Sequence, residues 1–311
     1  MRSLVERRKL TLTAIAPFRL DLTAWALRRR ETNRVDRWAA GQYSRVLILD
    51  NSPVGVVSIQ GGTRRAPLLS VTLHCQGAIT DRLEESAISA VRKMLGLEID
   101  LQPFSRLAAE TAPLRGLAKE FSGVKPPRFP TLFEALVNAI SCQQLTLDVG
   151  ILLLNRLAQR FGIGLTLNGP MQHAFPRPED LEDAAAADIK EIGYSVQKAR
   201  AIQELAREFI HRQGDFVNLG GMTSREIVSR LTALRGIGRW SAEYALLRGL
   251  GRLDIFPGDD VGARNNLQRL FHLPNKPDYA KITELTSRWH PYEGLVYFHL
   301  LLEKLRRKGV I

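Results

Sequence analysis

Sulfur is scarce in this chain: two cysteines, Cys75 and Cys142, in 311 residues, and no Cys-x-x-Cys pair. That excludes a zinc ribbon and a cysteine-ligated iron–sulfur cluster, and it points to a reduced, intracellular protein, cytoplasmic if bacterial. Histidine is also sparse. Six are present, with no His-x-x-x-His spacing, so no metal or triad pattern forms. No apolar run approaches the length of a membrane span. The basic N-terminal stretch "MRSLVERRKLTLTAIAPFRL" has a short apolar part cut by threonines, so it does not read as a secretory leader. Lysine is missing altogether between residues 199 and 275.

Positive charge is abundant. Lys and Arg number 44 against 32 acids, a net charge of +12. Such an excess suits a polyanionic partner, either nucleic acid or an anionic membrane surface. At this length two domains are expected. Residues 1–118 read as an α+β domain, an antiparallel sheet with a helix on it. "SRVLILD" and "PVGVVSIQG" are β-branched runs joined by the turn signal Asp50-Asn51-Ser52-Pro53. "LLSVTLHC" is a third strand, and "TLTAIAPFRLDL" is read as a fourth. Residues 80–97 form an amphipathic helix with Thr80 or Asp81 at its N-cap.

"SGVKPPRFP", 122–130, has linker composition. Beyond it, residues 119–311 read as an all-α domain. "RPEDLEDAAAADIKEIG" is expected to open a helix at Pro178 and end at Gly193, and Thr223-x-x-Glu226 is a capping box. "LRGIGRWSAEYALL", 234–247, is a helix, a tight turn and a helix. Gly236 and Gly238 allow backbone angles that a Cβ forbids, and they let a second backbone approach. The unpaired N–H groups of the following helix then face an anion, and Arg239 adds charge. A DNA phosphate fits that description and would be held without sequence readout. "FPGDD" follows, with Asp260 20 residues after Trp240. A carboxylate there has two readings. It caps the next helix, Asp259 capping and Asp260 decorating the first turn, or it stabilises positive charge on a reacting sugar.

Taken together, "LRGIGRWSAEY", "FPGDD", "EALVNAISCQQLT" and "EIGYSVQKARAIQELA" resemble the helix–hairpin–helix DNA glycosylase superfamily, most closely its 3-methyladenine DNA glycosylase II branch. The resemblance covers roughly residues 120–305. It implies a helix–hairpin–helix glycosylase domain acting as a monomer on double-stranded DNA with damaged bases, and no membrane. It implies excision of alkylated purines, with oxidised or deaminated purines as the alternative substrates and a non-catalytic DNA-binding protein as the alternative class. Asp260 corresponds to the family's catalytic acid, with Asp259 in a capping or supporting role. No cofactor is needed for catalysis. The hairpin carbonyls of Leu234 and Ile237 would hold a structural Na+ or K+.

Bifunctional members carry a lysine where this chain has Trp240, so hydrolysis without strand cleavage is expected. Trp240 and Tyr244 are either stacking walls for an extruded base or core residues. The branch's aromatic pocket positions are not all matched: Val261 and Leu301 stand where aromatics are expected, and Trp25 and Phe18 are candidates to compensate. Filling the gap left by an extruded base is assigned to Gln144, with Gln143 in support.

Overall fold

The computed structural model describes residues 5–167 and 169–311. Five strands, β1 (Val5–Thr13), β2 (Arg37–Ala39), β3 (Gln42–Leu49), β4 (Ser52–Gly62) and β5 (Pro67–Gln76), form one antiparallel sheet in the order β1-β5-β4-β3-β2. The expected turn joins β3 to β4, with Asp50 and Asn51 both left-handed (φ 46° and 60°). The fourth expected strand is β1, but it stops at Thr13, and the rest of that segment turns into a helix, α1 (Leu20–Arg28). Three further helices complete this half: α2 (Asp81–Leu95), α3 (Gln102–Glu110) and α4 (Ala112–Glu120). The α2 N-cap is Thr80, whose hydroxyl accepts from the Leu83 N–H.

The second half is helical: α5 (Leu132–Cys142), α6 (Leu147–Phe161), α7 (Ala186–Glu191), α8 (Val196–His211), α9 (Gln213–Val217), α10 (Ser224–Thr232), α11 (Arg239–Ala245), α12 (Val261–Leu270), α13 (Tyr279–Ser287) and α14 (Glu293–Arg307). Side-chain caps explain most of the starts. Thr131, Thr146, Ser195, Thr223 and Asp278 each accept an N–H from the first turn, and Thr223 and Glu226 close the expected capping box.

Two expectations need correction here. The half is not wholly helical, because β6 (Gly164–Thr166) and β7 (Met171–His173) make a small antiparallel ribbon. Nor does a helix open at Pro178. Asp180 folds back onto the Arg177 N–H and guanidinium, a local turn that competes with the helix, and α7 starts only at Ala186. The helix after the hairpin also changes character, passing from α11 into a π-helical turn, Leu246–Leu250.

Helix α1 belongs to two cores at once. Leu20, Ala24 and Leu27 join the core made by the sheet, α2 and the α5–α8 layer, whereas Leu22, Trp25 and Ala26 join the one formed with α12–α14. It is therefore wedged between the sheet and the last helices, and its C-terminal end lies against the helical half. Arg248 of the π turn fastens that end by donating to the Ala26 and Leu27 carbonyls, which α1 itself leaves unpaired.

Candidate nucleic-acid and base-excision site

A cavity of about 810 Å³ opens between the α5–α6 loop, α11, the start of α12 and α14. Asp260 stands in its wall. The FPG approach ends in a backbone bond from the Asp260 N–H to the Pro257 carbonyl, which turns the chain into α12. Asp260 is the N-cap: its Oδ1 accepts from the Ala263 N–H at 2.7 Å. Its Oδ2 accepts from the Trp240 indole N–H and the Tyr297 hydroxyl, each at 3.3 Å. Three donors from three elements thus fix one carboxylate, and that carboxylate lines the cavity. The capping role falls to Asp260 and not to Asp259, as the bare sequence reading had it. Asp259 instead pairs with Arg239 at 2.7 Å.

Arg239 is correspondingly committed. Its guanidinium lies 3.6 Å from the centre of the Tyr279 ring as well as against Asp259. Its side chain is still 49% exposed, so the hairpin's anion-facing character rests on amides together with a partly answered cation. The two glycines differ. Gly236 has φ +77°, and a Cβ there would meet the Ala201 Cβ at 2.8 Å, so the fold itself requires it. Gly238 has an ordinary φ of −90° and no protein atom within 4 Å of a would-be Cβ. Its missing side chain opens space outward, at the start of α11, where no side chain caps the helix. Ile237 is buried between the helices, and the Leu234 carbonyl already accepts its N–H at 3.1 Å.

Glu243, one turn along α11, braces the aspartate loop from behind. It accepts from the Gly258 N–H and from the Tyr279 hydroxyl, and burial pushes its carboxyl up to about 7.

Gln143 and Gln144 have separate fates. The Gln143 amide donates to the Gly236 carbonyl at 2.8 Å and to the Ser241 hydroxyl at 2.7 Å, tying the α5–α6 loop to the hairpin. Lys198 holds the Gln143 carbonyl at 2.6 Å. Gln144 is exposed on the cavity rim and left-handed (φ 53°), beside the exposed Leu145.

Trp240 and Tyr244 pack ring to ring with centroids 5.5 Å apart, and both line the cavity, as do Val261 and Leu301. Trp25 and Phe18 do not. Trp25 is buried in the α1–α14 core with the Arg28 guanidinium 4.8 Å from its ring centre, and Phe18 is buried in the core beneath the sheet. Both lie on the core-facing sides of their segments, so the contribution of α1 to the cavity is Arg29, just past its C-terminus.

Arg29, Tyr297 and Lys304 are among the lining residues that sequence reasoning missed. Arg29 sits in a run of three arginines that looks like a solvated charge patch. Tyr297 and Lys304 lie on one face of α14, seven residues apart, a spacing visible in the sequence, but nothing local says which face meets Asp260. Lys304 also revises the reading that no amine stands near the site. A Cβ on Gly262 would lie 3.0 Å from Asp260 Oδ1 and 3.4 Å from Lys304 Nζ, so a glycine keeps the gap between acid and amine open. Burial lowers the Lys304 ammonium pKa, against the pull of Asp260.

The hairpin, the capping aspartate 20 residues beyond its tryptophan and the helical layer around them correspond to one family. Residues 137–291 match the model of the HhH-GPD superfamily base excision DNA repair protein. The chain belongs to that superfamily. A DNA-3-methyladenine glycosylase of Bacillus subtilis is 29% identical over 216 residues, 70% of this chain and 71% of that protein. DNA-3-methyladenine glycosylase 2 of Escherichia coli is 26% identical over 274 residues, 88% of this chain and 90% of that protein. Among solved structures, a 3-methyladenine DNA-glycosylase from Archaeoglobus fulgidus superposes with a TM-score of 0.81 at 26% identity, over 97% of this chain and all of the other. Its antiparallel sheet followed by a helix–hairpin–helix half is thus a glycosylase architecture, and the relatives are DNA glycosylases. Among the described residues no helix is long and apolar enough to cross a membrane, and no His, Cys, Asp and Glu cluster offers a metal site.

Proposed function

We propose that the chain is a monofunctional DNA glycosylase that releases alkylated purines from double-stranded DNA. The observation that carries this reading is the placement of Asp260: a carboxylate fixed by three donors, in the wall of a cavity beside Trp240 and Tyr244. Breaking an N-glycosidic bond builds oxocarbenium charge on the sugar. A fixed carboxylate lowers the energy of that charge without having to reorganise. A positively charged alkylpurine is a good leaving group, so a general acid is dispensable, and water completes the reaction.

In this reading the hairpin amides around Gly238 hold a phosphate, and the base is extruded into the cavity against Trp240 and Tyr244. Gln144 enters the gap in the duplex, and its left-handed, exposed backbone presents it for that purpose. Gln143 keeps loop and hairpin in register. The Leu234 and Ile237 carbonyls would hold a monovalent cation through the lone pairs left free, one on the Leu234 oxygen being engaged by the Ile237 N–H. Residues 119–311 act as the catalytic domain, and residues 1–118 buttress it and contribute Arg29 to the cavity wall.

The direct test is base release from methylated duplex DNA under multiple turnover, with borohydride added in a parallel reaction. Free 3-methyladenine without borohydride-trapped protein is the expected result. A trapped complex lost in Lys304→Ala would replace hydrolysis by amine chemistry, and no release of any damaged purine would remove the glycosylase reading.

A further inference from the structure

The inner wall of the cavity carries a cation that, among the described residues, no carboxylate pairs with directly. Arg29 is 5% exposed. One guanidinium nitrogen donates to the Tyr244 hydroxyl at 2.8 Å and the other to Asn138 Oδ1 at 2.7 Å, while its buried Nε has no partner. Both partners are neutral, Cys142 Sγ is a weaker third acceptor at 3.9 Å, and among the described residues no acid lies within ion-pair distance. An arginine stays protonated under these conditions, so the charge is permanent. The backbone at Arg29 is left-handed, φ 62°, a conformation costly for a residue with a Cβ. A glycine would sit there without strain, which argues that the side chain is what the position is for.

The hydrogen bond from Arg29 has a second consequence. The Tyr244 oxygen accepts it, so the Tyr244 proton is free to be donated and finds no acceptor among the described residues. The two other donors close by, the Trp240 indole and the Tyr297 hydroxyl, are directed at Asp260. Asp260 also lines this recess, and in the reading above its charge serves the sugar; the wall around Tyr244 therefore offers donors and positive charge to the base that enters it. A neutral base with a carbonyl oxygen and an unprotonated ring nitrogen satisfies both. A base bearing a full positive charge and an exocyclic amine satisfies neither, since it meets a like charge in a medium that screens poorly. The aromatic attraction for a cation is blunted too, because the Arg29 and Arg248 guanidinium groups already lie 5.9 Å and 5.6 Å from the centre of the Tyr244 ring.

We propose that Arg29 is a specificity-determining residue that favours neutral, carbonyl-bearing purines over positively charged alkylpurines in this cavity. The inference rests on the glycosylase reading above and extends its substrate class from alkylated to deaminated purines: 6-oxopurines of the hypoxanthine kind are bound by the wall, whereas cationic bases are released through their own leaving-group ability.

The test is single-turnover release of hypoxanthine and of 3-methyladenine from otherwise identical duplexes by the full chain and by Arg29→Leu. The quantity read is the ratio of the two rates within each preparation, in which any loss of folded protein cancels. Arg29→Leu is expected to lower the hypoxanthine to 3-methyladenine ratio by at least about tenfold, the discrimination lost with a charged hydrogen-bond donor. Arg29→Lys, which keeps the charge and loses the fork, is expected to fall between. A ratio unchanged within threefold, or one that moves toward hypoxanthine, overturns the proposal, and so does an unaltered chain that releases 3-methyladenine but no hypoxanthine. Release of neither base by the unaltered chain fails the reading beneath it instead, and the proposal falls with it.

Discussion

Arg45 and Arg29 are both buried guanidinium groups, and adjacent turns of α5 hold them. Arg45 lies between Asp36 at 2.8 Å and Glu134 at 2.5 Å, with the Tyr43 hydroxyl completing Asp36. Arg29 meets Asn138, four residues beyond Glu134, where an amide stands in place of an acid. One site closes its charge inside the protein; the other leaves it facing a cavity. A buried cation is expensive unless it is paired. The closed cluster therefore reads as a joint between the sheet and α5. The open one reads as half of an interaction that a ligand completes.

The largest effect that separates the two is on stability. Arg45→Met leaves two acids buried without their cation, and it should destabilise the fold by about 3–5 kcal/mol in chemical denaturation. The ratio of hypoxanthine to 3-methyladenine release should not change. If that ratio shifts as far as in Arg29→Leu, the two arginines are not distinct in function. A smaller effect is expected from Asn138→Asp, which supplies Arg29 with the acid that Arg45 has. Closing the charge should move release severalfold toward the cationic base with Arg29 still in place; no shift would mean that the charge is not what the base meets. The smallest contrast is between the hairpin glycines. Gly238→Ala should change stability by no more than about 0.5 kcal/mol, since no protein atom opposes the new methyl, yet weaken duplex binding measured by anisotropy. Gly236→Ala should lower the unfolding temperature, because a left-handed backbone and Ala201 both oppose it. Equal losses of stability would remove the distinction between an inward and an outward glycine.

What the sequence revealed follows how local each signal was. The hairpin, the Thr223–Glu226 capping box and strands β3, β4 and β5 are written in short-range patterns and are found where expected, whereas the segment read as a fourth strand leaves the sheet at Thr13 and turns into α1. Asp260 is singled out through the resemblance of the hairpin and FPGDD to the glycosylase superfamily; the residues alone leave Asp259 as the cap, and the bond from Trp240 is seen only in the fold. Arg28, Arg29 and Arg30 show where that legibility ends. In the sequence they are one charge run. In the fold Arg28 is buried among the carbonyls of Arg30, Glu31 and Trp38, Arg29 enters the cavity, and Arg30 pairs with Asp148 on the surface. The fates of Arg29 and Arg30 are set by contacts with residues more than a hundred positions away, Asn138, Asp148 and Tyr244, which no local pattern encodes. Tyr297 and Lys304 stayed hidden for the same reason, since the face that α14 turns to Asp260 is decided by its packing on α1 and α12. The Trp25 assignment failed in reverse: an aromatic residue of the right size lay one turn from the cavity, on the face that α1 buries.

The central claim is that the carboxylate of Asp260 drives base release. Asp260→Asn isolates it, because asparagine caps a helix about as well as aspartate and should leave α12 and the hairpin intact. Single-turnover release of 3-methyladenine should fall by roughly 10²- to 10³-fold, with duplex binding and unfolding temperature retained. Release at the unaltered rate by the folded variant would contradict the account.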